Sequence, residues 1–150
     1  MFEPTPVTWV LSIIGVVIYL PVVFIQVLAI RRPHDQKTKD LLVGKGGDYH
    51  DRTYFTFCQG TAWADLFVQI PLVVIGGVTV LFARPWAYLL WFAGASITIY
   101  IHLVLAFVEG KHMLSKWGTL AFLTYGWGLW VYWAVIVVVY CLVRITGTVV

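Results

Sequence analysis

The chain has 150 residues, of which 61% are hydrophobic and 11% charged, and its formal net charge is +3. Soluble domains run at about 45–50% apolar and about 25% charged, so these figures exclude an ordinary soluble protein, and they exclude a disordered chain too. With about 20 apolar residues needed per crossing, the length holds roughly four or five membrane spans, within a single integral membrane domain.

Residues 7–30 form an uncharged run long enough to be the first transmembrane helix. Pro21 inside it removes a backbone donor and is expected to kink the helix, while Gln26 is its one strongly polar side chain. No Lys or Arg precedes this run, so the n-region of a signal peptide is missing and the span is expected to stay in the mature protein. Residues 31–53 then switch to Arg, Lys, Asp, His and Gly, with the breakers Lys45-Gly46-Gly47-Asp48, which reads as a soluble loop. The second helix covers 54–83 and contains Asp65 and Pro71, and Pro71 is expected to kink it as Pro21 does the first. Arg84-Pro85 marks a tight connection, because a residue before proline is pushed away from helical geometry.

The third helix covers 86–108, and a short polar link over 109–117 carries Lys111, His112 and Lys116. The fourth covers 118–143 and is closed by Arg144. Long apolar runs without alternation exclude a transmembrane barrel. The fold class is therefore an all-α membrane protein, a bundle of four transmembrane helices. Arg31, Arg32, Lys37, Lys39, Lys45 and Arg52 lie in the first loop and Lys111 and Lys116 in the third, against Arg84 and Arg144 elsewhere. That asymmetry places the loops at 31–53 and 109–117 in the cytoplasm, in a bacterial inner membrane or the endoplasmic reticulum.

Within lipid the informative residues are the polar ones inside the spans. Cys58, Thr61, Asp65 and Gln69 recur every three or four positions along the second helix, on one face. A carboxylate at that depth costs several kcal/mol unless it is paired, hydrated or protonated, so Asp65 must face the bundle interior. There it can donate a hydrogen bond or transfer a proton. Thr98, His102 and Glu109 share a face of the third helix, and His102 is the natural proton-handling partner of Asp65. In the fourth helix, Tyr125, Trp127, Trp130 and Trp133 extend inward from the interface, where aromatic belts normally stop, and are expected to wall a cavity for a flat ligand. Cys58 and Cys141 lack metal-ligand spacing and no His-x-x-x-His occurs, so neither a metal site nor a cofactor is expected. Positive charge concentrated in one loop gives no case for nucleic acid as a partner.

Phe57-Cys58 through Asp65, Gln69 and Pro71 resembles the second-helix signature of the EXPERA family, the group of the emopamil-binding protein, a sterol isomerase, and the sigma-2 receptor. Ile99-Tyr100 followed by His102 and Glu109 is similar in spacing to that family's third helix. Leu129-Trp130 is similar to its fourth, with Trp127 in place of an Asn, and Lys45-Gly46-Gly47-Asp48 is similar to its glycine-containing approach to the second helix. The resemblance spans most of residues 45–140 and departs in the first helix, where Gln26 stands in place of an acid. It implies a membrane bundle with an internal cavity open to lipid that binds sterols and cationic amphiphiles, with Asp65 transferring a proton or anchoring the ligand and His102 assisting. Gln26, Thr61, Gln69, Tyr100, Glu109, Tyr125, Trp127, Trp130 and Trp133 are the expected ligand contacts. The expected partner is a membrane lipid or sterol-like molecule, and the expected activity is binding or a sterol double-bond shift. The alternatives are a non-catalytic subunit of a larger membrane complex, a homodimer, or a four-helix membrane transferase.

Overall fold

The computed structural model describes residues 2–49, 51–110 and 128–147. Its helices are α1 (Pro6–Arg31), α2 (Gln36–Leu42), α3 (Arg52–Ala64), α4 (Ile70–Thr79), α5 (Pro85–Gly110) and α6 (Leu129–Thr146). A wide π-helical turn, Asp65–Gln69, joins α3 to α4, and a 3-10 turn, Val80–Phe82, follows α4. Four stretches among the described residues are long and apolar enough to cross a membrane: Pro6–Arg31, Arg52–Phe82, Pro85–Val108 and Leu129–Thr146. The chain is an all-α bundle of four membrane helices, with no strand among the described residues.

Local chemistry sets the helix ends. Thr5 and Thr8 form a reciprocal capping box at the start of α1, with Pro6 in the first turn where its missing N–H costs nothing. Pro21 sits inside α1, and the helix continues past it to Arg31. Asp51 caps α3 by accepting from the Tyr54 N–H at 2.8 Å. The second span ends at Ala83, whose left-handed backbone (φ 56°) turns the chain just before Arg84-Pro85.

One expectation needs correction. Residues 31–53 are not all loop, because α2 forms inside them and is tied down by a Lys39–Asp48 ion pair at 2.8 Å and a Tyr49 hydroxyl donating to the Pro33 carbonyl. The disruption expected at Pro71 takes the form of the π-helical turn just before it. Pro71 cannot donate to the carbonyl four residues back, Phe67, and its ring would strike it, so the helix widens by a residue over Asp65–Gln69. The start expected at residue 118 for the fourth helix lies outside the described residues.

α5 packs between α4 and α6, and α1 lies against the second span while also touching α6. α4 and α5 meet backbone to backbone. A Cβ on Gly76 would lie 2.5 Å from the Trp91 backbone nitrogen, and one on Gly94 would lie 2.8 Å from that of Val73. Missing side chains at these two positions let two antiparallel backbones meet, as small residues do in membrane bundles. Trp91 and Trp133 fill the centre of the bundle, edge to face at 6.3 Å. Large apolar side chains such as Val17, Leu20, Phe24 and Phe82 point outward, the arrangement expected when the solvent is lipid.

Candidate functional site

Between α1, the π turn, α5 and the start of α6 lies a cavity of about 170 Å³. Its polar wall consists of Tyr19, Gln26, Asp65, Gln69 and His102, and Trp130 forms an aromatic side. Val22, Ile25, Ile101 and Leu105 complete an apolar remainder. Tyr19, Val22 and Gln26 reach it together because they recur at three and four residues along α1, and the π turn carries Asp65 and Gln69 to it from the second span.

Asp65 is buried at 8% exposure, and its Oδ2 accepts from Gln26 Nε2 at 2.7 Å. That donor is neutral, and among the described residues Asp65 has no ion pair. A buried carboxylate held by one amide leaves its second oxygen available to the cavity that Asp65 lines. Deeper in the wall, Thr98 Oγ1 donates to the Gly94 carbonyl at 2.9 Å. Its single hydrogen is then spent, so Thr98 accepts from Gln69 Nε2 at 2.9 Å and from the Tyr19 hydroxyl. Gln69 Nε2 also donates to the Tyr19 oxygen at 3.3 Å. His102 Nδ1 lies 2.8 Å from the Thr98 backbone carbonyl, which only accepts, so the hydrogen is on Nδ1. The His102 ring stacks on Trp130 with centroids 5.9 Å apart.

The structure therefore brings Gln26, Asp65, Gln69, His102 and Trp130 into one cavity. Tyr100 does not join them. It is 67% exposed on the outer surface, because two residues turn a helix by about 200° and so set Tyr100 nearly opposite His102. Thr61 donates to the carbonyls of Phe57 and Cys58 in its own helix and is absent from the cavity wall. Cys58 packs with Val43 and Tyr54 in a separate cluster. Trp133 is a core residue: its Nε1 donates to the Leu11 carbonyl at 3.0 Å and its ring lies on Gly15. Tyr125, Trp127 and the side chain of Glu109 lie outside the described residues.

Sequence inspection missed Tyr19, although its position seven residues before Gln26 puts the two on one face. Among the described residues no three His, Cys, Asp or Glu side chains converge as a metal-ligand set. Scans against protein-family models, curated proteins and solved structures found no match to this chain.

Proposed function

We propose that this chain binds a single-headed amphiphile, a sterol or related isoprenoid lipid, with the polar head between Asp65, Gln69 and His102. The supporting observation is the buried Asp65 carboxylate, which one neutral amide holds at the wall of a cavity between the membrane helices. A charged or hydrogen-bonding group at this depth is costly, and its usual role is to meet a ligand or move a proton. Pockets for drug-sized ligands occupy about 300–1,000 Å³, so a cavity of about 170 Å³ takes the head and the first ring, and the rest lies along the lipid-facing surface. The EXPERA-like pattern of Asp65, Gln69 and Pro71 supports the same ligand class, and the basic loops favour a cytoplasmic position for the cavity end of the bundle.

The test is saturable binding of radiolabelled cholesterol to the protein in lipid nanodiscs. Asp65→Asn keeps the shape and removes the charge, and is expected to weaken binding at least tenfold, roughly 1.4 kcal/mol or more. Phe107→Ala, on the outer surface, is expected to change nothing. Binding that is absent, or equal in Asp65→Asn, overturns the proposal. Stoichiometric copurification of other subunits with no sterol binding favours the complex-subunit alternative.

A second reading follows from the placement of an acid and an imidazole on different helices of one cavity. With Asp65 protonated, it would add its proton to one carbon of a ring double bond and leave a cation at the other; His102 would take a proton from the carbon beyond that cation, so the bond shifts by one position, and return of that proton to Asp65 closes the cycle. Product analysis after incubation with a ring-B unsaturated sterol decides this, and unchanged sterol rejects it.

A further inference from the structure

The hydrogen-bond chain behind Gln69 determines which end of its amide meets the ligand. Gly94 takes the one hydrogen of Thr98, so Thr98 offers only lone pairs, and the Tyr19 hydroxyl uses its own hydrogen on Thr98. Gln69 must then present its NH2 group to Thr98 and Tyr19, which uses both of its hydrogens. Its carbonyl oxygen is the amide atom left for the cavity, beside the Asp65 carboxylate. Of the other donors in the wall, those of His102 and Trp130 are occupied or hidden. His102 Nδ1 faces the Thr98 carbonyl, and Trp130 Nε1 is buried with no surface open to the cavity. Gln26 spends one of its two amide hydrogens on the Asp65 carboxylate, which leaves one donor against at least two acceptors, the free Asp65 oxygen and the Gln69 carbonyl.

Taking the binding role proposed above as its basis, we infer that Thr98 and Tyr19 are positioning residues that make this a site of acceptors. It selects an amphiphile headed by a hydroxyl over the same skeleton headed by a ketone. With Asp65 ionised, as the binding role requires, a hydroxyl donates to Asp65 or to the Gln69 carbonyl, whereas a ketone brings a third acceptor and leaves both unpaired. Neither Thr98 nor Tyr19 needs to touch the ligand for this to hold. Both act through the orientation of Gln69.

The experiment displaces radiolabelled cholesterol from the protein in nanodiscs with cholestanol or with cholestanone. The expected result for the unmodified chain is that cholestanol competes on the order of tenfold better or more. Thr98→Val removes the acceptor that orients the amide and is expected to bring the two competitors within about threefold, with cholesterol still bound. Tyr19→Phe keeps the ring and removes the second acceptor, and is expected to lower the ratio in the same direction, which covers the case in which Thr98→Val does not fold. Equal competition by the two sterols in the unmodified chain overturns the inference while leaving the binding role intact. A strong preference that survives in both variants overturns the positioning role of Thr98 and Tyr19. Absence of saturable cholesterol binding removes the binding role and this inference together.

Discussion

Gly76→Ala tests the backbone-to-backbone contact between α4 and α5. The added methyl would lie 2.5 Å from the Trp91 nitrogen and 2.7 Å from its Cα, whereas carbon contacts settle at about 3.5–4.0 Å. The two backbones would have to part by roughly 1 Å, and a gap of that size forfeits about a quarter to a half of each dispersion contact along the seam. Overpacking by a methyl costs about 1–3 kcal/mol when side chains can move. Here the obstacle is helix backbone, which places the cost near the upper end. Replacing glycine by alanine inside a helix returns about 1 kcal/mol of intrinsic propensity, so the net loss is about 2 kcal/mol. Gly60→Ala is the control, because nothing lies within 4 Å of the new methyl. It is expected to be neutral or to stabilise by up to about 1 kcal/mol. Unfolding by titrated SDS in mixed micelles, followed by tryptophan fluorescence, measures both variants. If Gly76→Ala and Gly60→Ala fall within about 0.5 kcal/mol of each other, the close backbone approach is refuted.

The hydroxyl of Tyr140 bonds to Thr5, at 2.9 Å, and to Thr8, joining α6 to the cap of α1. Tyr140→Phe is therefore expected to cost about 1 kcal/mol in the same unfolding assay, since hydrogen bonds between membrane helices average about 0.6 kcal/mol each; no measurable loss would show that the pair is idle. In the first loop, the Gln36 amide and then the Gly46 N–H hold the Asp40 carboxyl below its ordinary value of 3.8. A lowered native value means that this contact is fully present above the unfolded value and is lost as pH falls through the native one. The Gly46 amide resonance in micelles is thus expected to stay constant from neutrality to about pH 4 and to move only below it, and a midpoint above the ordinary value would contradict the bond. Asp48, lowered by Lys39 and then by the Tyr49 N–H, is expected to follow the same sign.

Much of the bundle is legible along the chain because lipid demands long uncharged segments, and the helix ends at Pro6, Asp51 and Pro85 carry ordinary capping and proline chemistry. Asp65 also stands out, since an acid inside a span has so few tolerable environments. The partner of that acid is another matter. Gln26 lies 39 positions away on a different helix, and periodicity gives the face it occupies without saying which helix that face meets. Tyr100 and Trp133 illustrate the same limit from the other side. Both have the composition of a ligand wall, yet one faces outward and the other plugs the core against Gly15.

Sequence by itself determined the number and approximate limits of the spans, the basic first loop, and the presence of one carboxylate within the apolar region. Tertiary structure decided the rest: the widened turn at Asp65–Gln69, the Gln26 contact, and the Thr98–Tyr19 pair that orients Gln69. The physical reason lies in the solvent. In water, an apolar residue signals a buried position, so one face of a helix announces its neighbours. In lipid, Leu20 pointing outward and Leu11 pointing inward are equally well solvated, and hydrophobicity no longer separates surface from core. Which faces meet is then settled by close packing at Gly76 and Gly94 and by a few polar contacts, and those exist only once the helices have come together.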